Sequence, residues 1–489
     1  MLNLVREHRR LFLVTIFAAL ALRLFFLIHF PAVTDDSHVY AELATNWLQH
    51  GVYGQTQSGH PEQPILPTDA RLPGYPMFLA AIFWLFGAGN FKAVMLAQIM
   101  VDLATCFVVA DLARRAVSSG AAQVAFVLTA LCPFLANYAS AALTETLEIF
   151  FTALALDCAA AALHCMQDAP PESGAVKPSA NLWAATGAAI AGSILLRPDG
   201  GILLAAVILY LVVLAWKDST GTKDGTKTIS SFLTAGIVVA IFALAPLVPW
   251  TIRNLHTMHH FQPLAPRYAN DADELVPRGF NRWVKTWIID YASVEEIYWN
   301  VPGDKVDPAK LPARAIENPT ERDATLAAIA DYNDSQDITP EIDSRFGQLA
   351  TDRIRAHPIR YYLVLPVLRI ADMWLRPRTE LLPPDPRWWE FNDDWKHSVT
   401  ALGFGLLNLA YVTAAAFALL SLTRSPAEIR WVGLLVIFVV LRSAFLGTVE
   451  SPEPRYTLEG YPVVIVLAAS MVARRGRNAR QDEQEKKLT

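Results

Sequence analysis

The sequence predicts an all-α polytopic membrane protein, a bundle of about ten spans, or about 11–13 if short apolar stretches also cross. Composition is the first observation behind this: the 489 residues are 53% hydrophobic and only 18% charged, where a soluble domain carries about a quarter charged residues. Mean hydropathy is the second, at +0.29. The third is recurrence: apolar stretches near the roughly 20 residues that a bilayer core requires are spread along the whole chain. The formal net charge of −5 and the lack of a basic domain argue against nucleic acid as a partner.

Arg6, Arg9 and Arg10 precede the first apolar run, as in a secretory signal. However, Leu11–Phe30 is long enough to span and has no small-x-small cleavage site after it, so a retained helix is expected. The further expected spans are Phe91–Leu112, Ala121–Tyr138, Thr146–Cys165, Leu182–Leu196, Gly201–Trp216, Phe232–Trp250, Val399–Leu422, Trp431–Leu446 and Leu458–Ala473. Between the first two lies an outer loop, residues 31–90. It opens with Asp35 and Asp36, then a short amphipathic helix with Val39, Tyr40, Leu43 and Trp47 at helical spacing and Gly51 as its stop. An Arg71-Leu-Pro-Gly-Tyr-Pro turn and the short apolar stretch Tyr75–Phe86 complete it.

Lys and Arg collect in short cytoplasmic loops. With the N-terminus inside and the stretches Tyr75–Phe86 and Tyr361–Leu375 lying on the outer surface, the inside receives Arg6/Arg9/Arg10, Arg114/Arg115, Lys177, Lys217/Lys223/Lys227, Arg424/Arg430 and Arg474/Arg475/Arg477. Counting both stretches as spans puts Arg114/Arg115 and the Lys217–Lys227 cluster outside, so about ten spans with both termini cytoplasmic fits better. The expected organisation is an N-terminal transmembrane module (1–252), an extracytoplasmic loop domain (253–398), C-terminal transmembrane helices (399–473) and a charged cytoplasmic tail (474–489). Within the loop domain, Asn318–Asp331 and Glu341–Ala356 read as helices. Tyr361–Leu375, which carries Arg369 and Asp372, suits an interfacial helix. The four cysteines, Cys106, Cys132, Cys158 and Cys165, form no CxxC and read as small core residues.

Ionisable residues gather at the outer ends of the expected helices: Asp35, Asp36, Arg71, Glu145, Arg197, Asp199, Arg253 and Arg455. Such groups are costly at a membrane, so function is the default reading. Carboxylates can remove a proton or hold a metal, and the planar guanidinium fork suits phosphate oxygens. A substrate with a phosphate leaving group and an apolar tail fits that set. Each residue also has a purely structural explanation. Asp36 suits the N-cap of a Ser37–His50 helix, and Glu145 complements a helix dipole. Arg197-Pro-Asp-Gly is a plausible polar turn, while Arg253 and Arg455 suit snorkelling at the interface. Asp271 and Asp273 form a DxD of the kind that holds a nucleotide-sugar metal, discounted here because nucleotide sugars are not expected outside. His259 and His260 are adjacent, which makes a poor metal pair.

Five stretches, in this order and on one side of the membrane, resemble the GT-C glycosyltransferases, near the protein O-mannosyltransferase and aminoarabinose transferase group. They are Asp36-Ser-His38-Val-Tyr40-Ala-Glu42-Leu, Arg71-Leu-Pro-Gly-Tyr-Pro-Met-Phe-Leu, Leu143-Thr-Glu145-Thr-Leu, Pro249-Trp-Thr-Ile-Arg253-Asn254, and Pro454-Arg455-Tyr456 with Pro462. Ser37 stands where some relatives have a second acid, Glu145 where Asp is commoner, and Leu72 precedes Pro73 where the aminoarabinose branch carries a basic residue. The resemblance implies a GT-C-like bundle in a bacterial inner membrane, with its active site on the periplasmic face. It implies a polyprenyl-phosphate-linked sugar donor, a hydroxyl acceptor (lipid, glycan or protein) and transfer with inversion. Asp36 would be the general base, with Asp35 the alternative, and Glu145 would orient it or share a divalent metal with it. Arg253, Arg455 and Arg71 or Arg197 would neutralise the departing lipid phosphate, with Asp199, Tyr456, Tyr40 and His38 as further binding residues. The rival class is a non-enzymatic transporter or flippase of lipid-linked sugars. That needs charges along a polar path, for which Asp102 and Asp157 are the candidates.

Overall fold

The computed structural model describes residues 1–56, 64–168, 176–219, 225–268, 275–391, 394–422 and 426–473. Asp271, Asp273, Lys223, Arg424 and the tail with Arg474, Arg475 and Arg477 lie outside them, as do the side chains of Lys177, Lys227 and Arg430. The structure is almost wholly helical; the strands among the described residues are Gly54–Gln55 and Leu66–Pro67, an antiparallel pair. Seven described helices are long and apolar enough to cross a membrane, or eight if the bent pair Ile229–Leu244 and Leu247–Thr257 is one span. This is an integral membrane protein.

Differences from the expected spans have local causes. The expected span Ala121–Tyr138 is two short helices, Ser119–Ala130 and Pro133–Tyr138. Pro133 lacks the N–H that would continue the ladder. The freed carbonyls of Thr129 and Ala130 are taken by the buried guanidinium of Arg23, from the Arg9–His29 helix. The expected span Phe232–Trp250 bends by 41° at the break before Leu247, where the sequence has Ala245-Pro246. Tyr75–Phe86 lies within a 13-residue helix, Gly74–Phe86. At 1.5 Å per residue it reaches about 20 Å, short of the roughly 30 Å hydrocarbon core.

The chain divides into two compact units: Met1–Ala269 with Tyr411–Val439 and Glu459–Thr489, and Asn270–Ala410 with Val440–Leu458. In the first unit the 31–90 loop is pinned in sequence order. Ala32 pairs with Ala141 in a parallel bridge, donating to the Ser140 carbonyl at 3.0 Å and accepting from Ala142 at 3.0 Å. This sets Asp35 and Asp36 close to the start of the Glu145–Asp168 helix. The helix after the bridge, Asp35–His50, ends at Gly51, whose φ of 70° is a left-handed stop that glycine adopts without strain. One apolar core joins Tyr40, Ala44, Tyr75, Leu79, Phe83, Met95, Ala142, Leu147 and Leu196. Burying an aromatic side chain such as Tyr75 contributes about 2–3 kcal/mol. Its hydroxyl is satisfied by Gln98 Oε1 at 2.7 Å, and Gln98 Nε2 in turn donates to the Ala141 carbonyl at 2.6 Å.

The second unit has its own aromatic core, with Trp283, Trp287, Ile297, Ile329, Tyr332 and Phe346. Its helices Pro319–Ser335 and Pro340–Ala356 fall on the two stretches that read as helical. In the 360–375 helix the charged residues turn inward. Arg369 is fully buried and donates to the carbonyls of Ile288 at 2.8 Å, Gly447 at 3.2 Å and Lys285. Asp372 is likewise turned inward, accepting from Tyr291 N at 3.2 Å. The exposed face is apolar instead, with Tyr362, Leu363, Val367 and Leu368.

Candidate active site

The Asp35–His50 helix begins one residue earlier than the capping reading of Asp36 requires. Thr34 is the N-cap, and Ser37 Oγ accepts from Thr34 N at 3.0 Å. The capping reading of Asp36 is thereby corrected: the Thr34–Ser37 pair does that work, and the Asp36 carboxylate faces Arg71, whose Nη2 lies 3.2 Å from Oδ1. Asp35 is exposed. His38 is exposed too, edge-on to Phe91 with centroids 5.7 Å apart. The neighbouring acid Glu42 accepts from Thr56 N at 2.6 Å, a bond that ties down the loop rather than a free carboxylate.

Arg71 is aimed by the turn that follows it. Gly74 starts the next helix against the end of Val176–Leu196, where an added Cβ would stand 2.5 Å from the Leu195 carbonyl oxygen. That close approach explains the glycine of the Leu-Pro-Gly-Tyr-Pro turn. It also brings the Arg71 turn beside Arg197, one residue past the end of the same helix. Arg197 faces three carboxylates: Asp199 at 3.5 Å, Glu148 at 3.7 Å and Glu145 at 3.9 Å. Glu145 and Glu148 are 2% and 1% exposed, and this guanidinium is the cation set against them.

Tyr40 joins the two pairs. Its hydroxyl is pushed up to about 12, first by burial and next by the Asp36 charge, with Arg71 and Arg197 opposing and Glu145 adding. A single buried phenol therefore feels Asp36, Arg71, Arg197 and Glu145 together. The arrangement offers a half-exposed carboxylate beside a cation, backed by a buried carboxylate–arginine cluster. It suits proton abstraction next to a site for developing negative charge.

Arg253, in the same unit, does not point at a carboxylate. Its guanidinium donates to the carbonyls of Thr68 at 2.8 Å and Tyr53 at 2.5 Å and to Asn254 Oδ1 at 2.9 Å, and it stacks on Tyr53 and Trp250. Arg455 and Tyr456 belong to the second unit. There Glu453 accepts from the Tyr456 hydroxyl at 2.6 Å and lies 2.6 Å from Arg455 Nε. That unit also holds a cavity of about 550 Å³, lined by Tyr291, Glu295, Arg376, Glu380, Arg387 and Trp388 among others.

Three participants went unread in the sequence. Glu148 is one turn beyond Glu145 on a helix that had no other reason to be inspected, and its i,i+3 spacing was the available signal. Asp69 and Glu453 pair only through tertiary contacts, with His260 and Arg455 respectively. The charges that the transporter reading needed are paired within the helices: Arg23 Nε lies 2.7 Å from Asp102, and Arg115 Nε 2.9 Å from Asp157. Nor does the donor set fit a divalent ion. Among the described residues no group of three His, Cys, Asp or Glu side chains is placed to hold a metal ion, and Asp36 and Glu145 each face a guanidinium.

The fold is that of the GT-C membrane glycosyltransferases. Residues 67–250 match the family described as dolichyl-phosphate-mannose-protein mannosyltransferase. The chain is similar to the archaeal oligosaccharyltransferase AglB from Archaeoglobus fulgidus, solved in complex with an inhibitory peptide and a dolichol-phosphate. The TM-score is 0.55 at 12% identity, over 98% of this chain and 52% of that one. The apo form of the same oligosaccharyltransferase gives 0.52 at 11% identity, again over 98% and 52%. ArnT from Cupriavidus metallidurans is a looser likeness, 0.38 at 16% identity over 94% and 77%. This chain thus spans about half the length of the archaeal oligosaccharyltransferase. No curated protein sequence matches it.

Proposed function

We propose that this protein transfers a sugar from a polyprenyl-phosphate carrier to a hydroxyl acceptor at the outer face of the membrane. The observation that carries the reading is the Asp36–Arg71 pair at the head of the outer-loop helix, next to the Arg197–Glu145 cluster around Tyr40. The family description naming a dolichyl-phosphate sugar and the dolichol-phosphate in the AglB structure support the donor class.

In this reading Asp36 takes the proton of the acceptor hydroxyl, with Asp35 the alternative base. The acceptor oxygen attacks the anomeric carbon as the bond from that carbon to the phosphate oxygen breaks, and the configuration inverts. The lipid phosphate leaves with the electron pair, and Arg71 and Arg197 stabilise the charge that it gains. Glu145, Glu148 and Asp199 hold Arg197 in place. Tyr40 packs beneath the pair, and His38 lies at its exposed rim. Arg455 and Tyr456 are assigned to donor binding. The membrane is a bacterial inner membrane, with the site on the periplasmic side and both termini in the cytoplasm. Protein, lipid and glycan hydroxyls are all acceptors compatible with this chemistry.

The test uses purified full-length protein in nanodiscs, offered a panel of polyprenyl-phosphate sugars, with release of polyprenyl phosphate as the readout. Wild type is expected to turn over at least one donor. Asp36→Asn is expected to lose about 10²–10⁴-fold in kcat, the worth of a positioned general base, while its melting midpoint is retained. Equal rates in the two proteins remove Asp36 as the base.

A further inference from the structure

We propose that Arg253 and His260 are positioning residues: they clamp the Thr68–Leu72 turn of the outer loop and thereby set the reach of Arg71 to Asp36. The inference rests on the reading of Asp36 and Arg71 given above.

Arg253 spends its guanidinium on backbone. It bridges the carbonyls of Tyr53 and Thr68, and Thr68 N itself donates to the Tyr53 carbonyl at 3.2 Å, so one cation gathers two neighbouring segments. Two stacked rings, Tyr53 at 5.4 Å and Trp250 at 5.2 Å, hold it from the sides. His260 takes the other side of the turn. Its Nε2 lies 2.7 Å from Asp69 Oδ2 and its Nδ1 3.1 Å from the Met258 carbonyl. The ring thus bridges the Asp69 carboxylate and the backbone of its own segment. Asp69 is 6% exposed, and a buried carboxylate of this kind requires such a partner. Asn254 ties the histidine segment back to the Leu247–Thr257 helix by donating to the Gln262 carbonyl at 2.7 Å.

The clamp leads directly to Arg71. The Tyr53 hydroxyl donates to the carbonyls of Arg71 at 3.0 Å and Leu72 at 3.2 Å. Ala70 N is turned onto Thr68 Oγ1 at 3.0 Å. The backbone on both sides of Arg71 is therefore fixed by groups that Arg253 and His260 hold, while its side chain alone is left to face Asp36. A guanidinium so occupied has little left for a lipid phosphate, and Arg253 acts through Arg71.

The experiment pairs two readouts on full-length protein in nanodiscs. Amide exchange of residues 64–72 is measured by mass spectrometry in wild type, Arg253→Gln and His260→Gln. Donor kinetics are measured in the same proteins and in the Arg71→Gln background. The clamp predicts exchange about tenfold faster in each variant. It also predicts kcat about tenfold lower with donor KM within about twofold, and a His260→Gln cost that shrinks to about twofold once Arg71 is already Gln. Unchanged exchange in both variants overturns the clamp whatever the kinetics. Kinetic costs that multiply fully in the double variant overturn the link to Arg71. Faster exchange in a protein whose wild type turns over no donor upholds the clamp and sinks the transferase reading instead.

Discussion

In the candidate site of the first unit, Asp36 faces Arg71, and Glu145, Glu148 and Asp199 share Arg197. In the cavity of the second unit the arginines are drawn elsewhere. Arg387 goes to Glu296 at 2.7 Å and Arg376 to Asp372 at 3.2 Å, while Arg378, which does not line the cavity, goes to the Pro454 carbonyl at 2.8 Å and Thr457 Oγ1 at 2.5 Å. Glu380, like Glu148 in the first region, has no side-chain hydrogen-bond partner for either carboxylate oxygen among the described residues. Burial pushes it up to about 7, with Arg378, Arg376 and Arg455 opposing at a distance. The same residue types thus build opposite devices. One region sets its acids against guanidinium groups. The other leaves an acid holding its proton near neutrality.

The largest effect should come from taking the cation out of the first region. Arg197→Ala leaves Glu145 and Glu148 buried without compensation, a loss on the order of 3–5 kcal/mol. The expected result is a sharp fall in yield and melting midpoint. Adding Glu148→Gln to Arg197→Ala should restore part of the loss, because one uncompensated charge is removed. An Arg197→Ala protein that melts like wild type would mean that those carboxylates are not held as ions, and the contrast between the regions would dissolve.

The next effect is steric. Gly74→Ala puts a methyl group 2.5 Å from the Leu195 carbonyl oxygen, a backbone atom that no rotamer change can move. Overpacking of this kind costs about 1–3 kcal/mol. Because Gly74 is three residues from Arg71, turnover should fall further than stability alone predicts. If stability falls while kcat and KM stay at wild-type values, the turn does not aim Arg71.

These two tests also mark what was legible in the sequence. Gly74, Arg71 and Asp36 stood out because a long loop with acids, Pro and Gly between apolar spans calls for an explanation beyond a connection. Gly51 and the spacing of Tyr40, Leu43 and Trp47 gave the loop helix, since helical period and a left-handed stop are local properties. Roles that depend on tertiary partners were not legible. Arg253 read as a phosphate ligand because an arginine at a helix end looks the same whether carbonyls or phosphates await it. Glu148 and Asp69 looked like ordinary polar residues until burial made each of them need a cation. Thr34 took the cap expected of Asp36 because its side chain and that of Ser37 close on one another, a matter of one residue in register. The break at Pro133 was hidden by the apolar residues around it, although proline itself was the signal.

The last effect tests the second region, and its sign can be worked out. A carboxyl whose pKa is raised by folding binds a proton that the unfolded chain has already released. Between about pH 4.5 and about pH 7, then, the folded state holds more protons, and stability falls as pH rises through that window. Above it the full cost of the buried charge is present, on the order of 3 kcal/mol. Asp372, pushed up to about 6 by burial, acts in the same direction and so has to be left intact. Glu380→Gln removes the one charge and keeps the shape. At pH 8 its melting midpoint should exceed that of wild type by several degrees, about 2–4 °C per kcal/mol for a domain of this order. Near pH 5 the two should converge, because wild-type Glu380 is then neutral as well. A gap that persists unchanged to pH 5 would trace the gain to packing. No gap at pH 8 would show that the three arginines already compensate the carboxylate, making the second region electrostatically like the first.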